Sequence, residues 1–258
     1  MGYDPEATAS FLLAARASRT LLGPLPAPLV PPAIDAAAAA QHALVRRVGT
    51  LPPAGFKVGA TARRMQDYLG LDEPAAGAMV EAGVHATGTT LAFADLVRPG
   101  VECELAVRLA RDLPPGRYDA KGVAGAVDSV LAAIELVENR YTDFVSFGAP
   151  ALVADQVFHA AAVLGEPVRP GADLRALVGT ISIDGEERDR GRGADLLGDP
   201  LAVLAWLAGS AVAARFGGLR AGQVVLLGSV TPPIWLDGPA IVRVEFPPLP
   251  TVALRLQS

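Results

Sequence analysis

The pattern of hydrophobic and polar positions changes at about residue 50. Before it, residues 6–22 and 33–48 are rich in Ala and Leu, and a Pro-rich connection over residues 23–32 separates them. Both Ala-rich segments are predicted as helices, because Ala and Leu favour helix and Pro interrupts it. We therefore expect a helical N-terminal segment over residues 1–50.

After residue 50, the chain consists mainly of short apolar runs bounded by Gly and Pro, which predict strands. A helix is predicted over residues 119–127, and another over 201–216, where Asp199 can act as N-cap and Pro200 fits the first helical position. Strands dominate without regular alternation with helices, so we expect an α+β fold whose β-rich body spans residues 51–258. The strand-like runs are 55–60, 89–93, 101–109, 130–137, 181–183, 224–228, 240–246 and 252–256.

Composition excludes several classes of protein. The 258 residues are 51% hydrophobic with a net charge of −5, which excludes extensive disorder and disfavours a nucleic-acid partner. The single cysteine, Cys103, excludes a disulfide framework and suits a reducing cytoplasm. Residues 1–6 lack the features of a secretory signal, and the apolar stretch over 201–214 is too short to span a bilayer. We expect a soluble, cytoplasmic protein without a membrane partner.

Two carboxylates share one face of the strand predicted over residues 101–109. Alternate residues of a strand point to the same side of the sheet, so Glu102 and Glu104 project side by side, about 7 Å apart at the backbone. The odd-numbered positions form an entirely apolar opposite face. Two interpretations stay open, namely a solvent-exposed polar face, which is the commoner arrangement, and a pair of ligands for a cation.

A third carboxylate, Glu135, lies within the almost wholly apolar run over residues 130–137. An unpaired charge in a central strand is costly, so Glu135 must be protonated, ion-paired or bound to a cation. An ion pair of Arg140 with Glu138 at the strand end is the structural alternative. Three Glu side chains suit a hard cation such as Mg²⁺ or Mn²⁺. The histidines lie in unrelated contexts and are interpreted as surface or core residues: His42, His85 and His159.

Several short motifs follow one another in a recognisable order: Gly55–Thr61, Leu69–Pro74, Glu102-x-Glu104, Ala133–Arg140, Leu197–Pro200 and Ala221–Thr231. Their order and spacing resemble the family of 2-keto-4-pentenoate hydratases and 4-oxalocrotonate decarboxylases, within the fumarylacetoacetate hydrolase superfamily. The resemblance runs in register from about residue 50 to the C-terminus and is looser before that. It implies a mixed-sheet body of the fumarylacetoacetate hydrolase type.

The resemblance also implies a divalent metal, usually Mg²⁺ or Mn²⁺, held by Glu102, Glu104 and Glu135. A 2-oxo acid can chelate such a cation through its carboxylate and 2-oxo oxygens, and the cation then stabilises an enolate. The implied activity is a metal-dependent lyase that adds water to a 2-hydroxy-2,4-dienoate to give a 4-hydroxy-2-oxo acid. Decarboxylation of a 2-oxo-3-enedioate, of the 4-oxalocrotonate type, is the alternative. The family's closed assemblies imply a homo-oligomer, and a pathway partner enzyme is a further expectation.

The resemblance implies that Lys57 faces the active site as a catalytic residue and that Gly228, Ser229 and Thr231 line the pocket for the substrate's carboxylate. The role of Lys57 and the role of the residues after Gly228 each have an alternative. Lys57 can lie along apolar surface with its charge in solvent. Ser229 and Thr231 can simply cap the turn before the next segment.

Two positions depart from the family pattern. Ala75 stands where the resemblance would place an acid/base carboxylate, whose loss typically costs a factor of roughly 10² to 10⁴ in rate. Asp72 or Glu73 can substitute from a shifted loop, the reaction can differ, or the protein can be a non-catalytic member that binds a 2-oxo acid. Near the C-terminus, Trp235 lies in an unusual segment and suggests an apolar or larger substrate, although a core tryptophan is an equal alternative.

Overall fold

The computed structural model describes residues 2–49 and 51–258, except for the side chains at positions 64 and 68. The described chain has an α+β fold, rich in β-sheet and with two longer helices near the N-terminus, which confirms the predicted fold class. No described helix combines the length and hydrophobicity needed to cross a lipid bilayer. The α-helices are α1 (Pro5–Ser18), α2 (Ile34–Arg47), α3 (Arg63–Leu69), α4 (Ala120–Ala124), α5 (Phe144–Phe147), α6 (Ala149–Ala154), α7 (Pro200–Gly209) and α8 (Ala211–Arg215).

Two mixed sheets form the main body. The larger has the order β2-β1-β10-β5-β6-β7-β3, with β11 paired to β5, and the smaller has the order β4-β13-β12-β8-β9. Parallel pairs, such as β1 with β10, occur beside antiparallel ones, such as β5 with β6. The strands are β1 (Gly55–Gly59), β2 (Ala75–Met79), β3 (Val84–Ala86), β4 (Thr89–Ala92), β5 (Pro99–Leu109), β6 (Val127–Glu138), β7 (His159–Leu164), β8 (Val178–Ile183), β9 (Glu186–Arg192), β10 (Val224–Ser229), β11 (Ile234–Trp235), β12 (Ala240–Glu245) and β13 (Val252–Gln257).

The long antiparallel pair of β5 and β6 is the centre of the larger sheet. Its register places Glu102 directly opposite Glu135, with Cys103 opposite Ile134 on the other face. Most side chains of both strands are buried. The face that carries Cys103 and Ile134 packs in one core with side chains of α7 and of the smaller sheet, and the opposite face contributes to a second apolar cluster. Polar residues on these strands therefore need partners within the protein.

The N-terminal helices are joined to the sheet. Asp4 caps α1 by accepting a hydrogen bond from the Glu6 amide at 2.9 Å, and the helix ends at Ser18, before the predicted end at residue 22. Helix α2 carries a buried Gln41, whose side chain bonds the backbone of β2 at Ala76 and Ala78. Apolar side chains of α1 and α2 belong to the same core as the central strands.

Several elements differ from the sequence-based expectation. The helix predicted over residues 201–216 is two helices, because Ser210 ends α7 and its hydroxyl caps α8. Strands β2 and β7 were not predicted, since both are rich in Ala, which favours helix. The charged residues 186–192 lie outside the predicted strand-like runs but form the edge strand β9, whose charges suit an unpaired edge.

A cluster of buried carboxylates and the adjoining pocket

The structure brings Glu102, Glu104 and Glu135 together. Each offers a carboxylate oxygen, and these oxygens lie within 4.8 Å of one another. Glu104 and Glu135 are buried, and Glu102 is half-buried. The interpretation of this strand face as solvent-exposed is therefore wrong. We call these three residues the carboxylate cluster.

Lys57 is the cation that faces the carboxylate cluster. It comes from β1, is 3% exposed, and its Nζ lies 3.3 Å from Oε1 of Glu135. The alternative of a lysine with its charge in solvent is therefore wrong. One lysine cannot neutralise three ionised carboxylates, so this buried cluster needs protons or a further cation to balance its charge.

The surroundings shift the pKa values of the three carboxyl groups in different directions. Burial, and then the neighbouring charge of Glu135, raises the pKa of Glu102 to about 8. Burial and both neighbouring carboxylates raise the pKa of Glu104 well above its usual range. Burial acts in the same direction on Glu135, but Lys57 and His159 outweigh it and lower the pKa of that group. Mutual repulsion of this kind is relieved when a cation binds.

His159 also contacts the carboxylate cluster, which the sequence did not indicate. It begins β7, beside β6, and its Nδ1 lies 2.8 Å from Oε1 of Glu135. Burial lowers the pKa of His159, which favours the neutral ring with Nδ1–H donating to the carboxylate. Within the described part of the chain, its buried Nε2 has no hydrogen-bond partner. His159 is buried, as one of the two expected alternatives, but its contact with Glu135 was not predicted because β7 was not predicted.

Gly228, Ser229 and Thr231 follow a bulge at the end of β10. Gly228 has φ +107°, which favours glycine, and its amide donates to Oε2 of Glu104 at 2.7 Å. The Ser229 hydroxyl accepts hydrogen bonds from the amides of Cys103 and Thr231, at 3.1 and 3.3 Å. Thus Gly228 contacts the carboxylate cluster directly, whereas Ser229 also caps the turn. Substrate binding by these three residues stays a prediction.

A cavity of about 160 Å³ adjoins the carboxylate cluster. Its polar lining consists of Lys57, Glu102 and Asn139 among the side chains that the structure describes. The remaining lining is formed by glycine, proline and apolar side chains: Gly59, Ala60, Met65, Leu69, Val137, Phe144, Val157, Phe158, Pro233 and Trp235. One side of the cavity is therefore charged, and most of its wall is apolar.

Part of the apolar wall comes from a strained turn. Gln156, Val157 and Phe158 have φ values of +59°, +53° and +65°, a left-handed conformation that is especially unfavourable for a β-branched residue such as Val157. The Gln156 side chain holds this turn, since it accepts a hydrogen bond from Arg16 at 2.7 Å and donates one to the carbonyl of Ala78. The turn presents Val157 and Phe158 to the cavity.

Ala75 lies on β2 directly opposite Gly59 and is buried. Paired residues on neighbouring strands share a face, so Ala75 lies on the same side of the sheet as Lys57. Asp72, Glu73 and Ala75 all line another cavity, none of them lines the one beside the carboxylate cluster, and Glu73 accepts a hydrogen bond from Trp206 Nε1 at 3.0 Å. This arrangement does not support the substitution of Asp72 or Glu73 for the missing carboxylate.

A second buried group of charges surrounds Asp155. The Asp155 carboxylate receives hydrogen bonds from Arg16 at 2.6 Å, Arg140 at 3.1 Å and the Tyr141 hydroxyl at 2.6 Å. Arg140 also forms an ion pair with Glu138 at 2.9 Å, which is the alternative pairing considered from the sequence. The partners of Glu135 are Lys57 and His159. We call these five residues the arginine cluster: Arg16, Glu138, Arg140, Tyr141 and Asp155.

Residues 61–257 match the model of the fumarylacetoacetate (FAA) hydrolase C-terminal family. The chain belongs to this family. It is 39% identical over 208 residues to a 2-keto-4-pentenoate hydratase of Burkholderia vietnamiensis, covering 74% of this chain and 77% of the relative. It is 30% identical over 192 residues to a 4-oxalocrotonate decarboxylase of a Pseudomonas species, covering 74% and 73%. These relatives confirm the resemblance inferred from the short motifs.

A solved structure agrees with the fold of this FAA hydrolase family member. A 4-oxalocrotonate decarboxylase from Pseudomonas putida G7, complexed with magnesium and adipate, superimposes with a TM-score of 0.90 at 24% identity. The match covers 98% of this chain and 97% of that one. At this identity the similarity shows the fold alone.

Proposed function

We propose that this protein is a divalent-metal-dependent lyase that adds water to a 2-hydroxy-2,4-dienoate, giving a 4-hydroxy-2-oxo acid. The observation that carries the proposal is the carboxylate cluster, which places three carboxylates against one lysine beside a cavity. Relatives named 2-keto-4-pentenoate hydratase support hydration as the reaction class. The magnesium bound in the structurally similar decarboxylase supports a metal of this kind.

The residues present fit Mg²⁺ or Mn²⁺. Oxygen ligands suit hard cations, and Glu102, Glu104 and Glu135 would hold the ion. Oε1 of Glu135 is engaged by Lys57 and His159, whereas no described residue donates a hydrogen bond to the buried Oε2. This oxygen is therefore available as a ligand. When bound, the cation supplies Lewis-acid stabilisation of the negative charge that develops on a 2-oxo acid.

The chain's own groups bind the substrate and move the proton. Lys57 faces the cavity, so its ammonium group can donate hydrogen bonds to a substrate carboxylate or carry a proton. Its contact with Glu135 holds Nζ at the charged side of the cavity. The Asn139 side chain, on the same cavity wall, can orient a polar substrate atom. Burial of Glu104 and Glu135 keeps solvent away from this side of the pocket.

Decarboxylation of a 2-oxo-3-enedioate is the second candidate, and Ala75 is the observation that favours it. Alanine cannot transfer a proton, whereas loss of CO₂ needs stabilised negative charge and one proton donor, for which Lys57 suffices. A relative named 4-oxalocrotonate decarboxylase supports this candidate. The third hypothesis, a non-catalytic 2-oxo-acid-binding protein, rests on the same alanine.

A mass-spectrometric product assay tests these candidates. The purified protein is incubated with 2-hydroxy-2,4-dienoates and 2-oxo-3-enedioates in the presence of Mg²⁺, Mn²⁺ or a chelator. We expect a product that gains one water only when metal is present, and loss of this product in Glu104→Gln but not in the exposed control Glu245→Gln.

Loss of CO₂ in place of water addition supports the decarboxylase. Metal binding with no product from any compound contradicts both enzymatic proposals. In that case, turnover gained by Ala75→Asp would identify a member that lost the ancestral chemistry.

Three broader features are also proposed. Self-association is supported by exposed apolar side chains such as Val30, Val48 and Val145, and light scattering in solution measures it. A pathway partner enzyme can be sought by co-purification. A cytoplasmic location is supported by the single free thiol of Cys103, and fractionation of cells tests it.

A further inference from the structure

The wall of the cavity is charged beside the carboxylate cluster and apolar farther along the same face of the sheet. Gly100 and Val137 form a cross-strand pair, and each lies two residues from one of the paired carboxylates, Glu102 and Glu135. Because residues two apart on a strand share a face, this pair continues the carboxylate-bearing face of the sheet. The next positions that a substrate chain would contact are therefore apolar.

Trp235 covers this apolar end. It pairs with Gly100 through β11, and a Cβ atom at Gly100 would lie only 2.7 Å from the indole ring. The glycine thus allows the ring to lie directly against the strand. Trp235 is nevertheless 46% exposed, so the indole offers a large apolar surface toward the cavity that it lines. The alternative of a core tryptophan does not fit this exposure.

Aromatic and aliphatic side chains complete the apolar wall. Phe144 and Phe158 both line the cavity and contact each other, with ring centroids 5.8 Å apart and an interplanar angle of 70°. Met65 and Leu69 line it from α3, where their spacing of four residues puts them on one helix face. Three separate segments therefore supply apolar groups around the space beside Trp235.

Cations are scarce in this lining. Among the side chains described by the structure, Lys57 is the cationic group that lines the cavity, and it is engaged by Glu135. Among the described side chains, a carboxylate at the far end of a substrate would have apolar neighbours and no charged partner, which disfavours its binding. An apolar ring or a branched chain would instead replace water at the exposed indole face.

We propose that the substrate carries an apolar aryl or branched alkyl group at the end distal to its 2-oxo acid, and that Trp235 determines this specificity. The proposal rests on the proposed function, because it assumes that the 2-oxo acid binds at Lys57 and the carboxylate cluster. It adds the chemical class of the other end of the substrate.

Selectivity among 2-hydroxy-2,4-dienoates tests the proposal. Values of kcat/KM are compared for compounds that carry hydrogen, methyl, phenyl or carboxylate at the distal carbon. We expect the phenyl compound to exceed the unsubstituted one by about tenfold or more, and the carboxylate to be the poorest. Equal or better use of the carboxylate compound would overturn the proposal.

Variants assign the selectivity to the indole. Trp235→Ala is expected to lower kcat/KM for the phenyl compound by about 10- to 100-fold with little change for the unsubstituted one, and Trp235→Phe to retain most of the preference. Trp206→Phe is the matched control, since Trp206 lines a different cavity. If Trp235→Ala changes the number of subunits but leaves the selectivity intact, the indole serves assembly and the proposal is wrong.

A binding measurement separates this proposal from the proposed reaction. Because the chain contains two tryptophans, Trp206→Phe leaves Trp235 as the one indole fluorophore. Its fluorescence is titrated, with Mg²⁺ present, with 4-phenyl-2-oxobutanoate, 2-oxopentanoate and 2-oxopentanedioate. Tightest binding of the phenyl compound supports the apolar end even if no dienoate is hydrated. Equal affinities, or tightest binding of the dicarboxylate, would refute it whether or not hydration occurs.

Discussion

The two buried groups of charges, the carboxylate cluster and the arginine cluster, differ in how their charges are balanced. In the arginine cluster, two guanidinium groups face the carboxylates of Asp155 and Glu138, and the contacts are 2.6–3.1 Å long. In the carboxylate cluster, three carboxylates face Lys57, while His159 favours its neutral form. The charges of the first group are balanced within the chain, whereas the second group needs protons or a cation to balance its three carboxylates.

This difference separates a structural role from a functional one. The arginine cluster joins α1 to the segment after β6 and to the turn before β7, so its partners hold distant parts of the chain together. The carboxylate cluster joins neighbouring strands that already share backbone hydrogen bonds. Its unbalanced charges add little to folding and are better explained by a bound cation.

The largest effect is expected when Asp155 is replaced. Asp155→Ala leaves Arg140 buried without its main partner, and breaking a buried pair in this way costs about 3–5 kcal/mol in the free energy of unfolding. Chemical denaturation of the variant measures this cost. The matched control is Asp95→Ala, which removes an exposed ion pair with Arg19 and is expected to cost less than about 1 kcal/mol. Equal costs would contradict the structural role of the arginine cluster.

The carboxylate cluster is expected to respond in the opposite way. Glu104→Gln keeps an oxygen for the Gly228 amide and removes a carboxyl whose pKa is raised by burial and by both neighbouring carboxylates, so its charged form is disfavoured without metal. We expect the free energy of unfolding without metal to stay unchanged. Loss of a residue that hydrogen-bonds a metal ligand typically lowers activity by roughly 10- to 100-fold, and we expect Glu104→Gln to lower it by more. Thermal unfolding with and without Mn²⁺ checks this, since the shift caused by Mn²⁺ should disappear. A large destabilisation without metal would indicate a structural role for Glu104.

His159 should have a smaller effect, through the orientation of Glu135. His159→Ala removes the Nδ1–H donor, and we expect the metal affinity to fall by about 10- to 100-fold. His159→Asn places an amide N–H near the position of Nδ1 and should restore most of that affinity. Calorimetric titration with Mn²⁺ measures both. If Asn and Ala weaken binding equally while the fold is intact, the hydrogen bond does not position Glu135.

The smallest effect concerns acid stability. Burial by itself would raise the pKa of Asp155, but Arg140, Arg16 and Tyr141 together lower it below its usual value of 3.8. A lowered folded-state pKa contributes stability above about pH 4, which is lost as the pH falls through the folded-state value. The stability difference between the native chain and Asp155→Asn should narrow below pH 4, by about 1.4 kcal/mol for each unit of lowering. A difference that stays constant down to pH 2 would contradict this assignment.

Sequence patterns predicted the fold class and two features of the carboxylate cluster. The period of two along a strand placed Glu102 and Glu104 on one face, and the apolar surroundings of Glu135 indicated a special role. The register that sets Glu102 opposite Glu135 depends on tertiary packing, which no local pattern contains. His159 was missed for a related reason. The Ala-rich β7 has the composition of a helix, and only the fold shows that β7 lies beside β6.

The left-handed turn at residues 156–158 bears on how this pocket can change during evolution. Substitutions at a binding site usually lower stability, which limits how many a protein tolerates. Here Val157 and Phe158 already hold an unfavourable backbone conformation, which costs roughly 1–2 kcal/mol per residue. Replacement by Gly or Asn relieves that strain while it removes part of the apolar wall, so the two effects offset each other. New substrate preferences are therefore most accessible to this protein at these two positions.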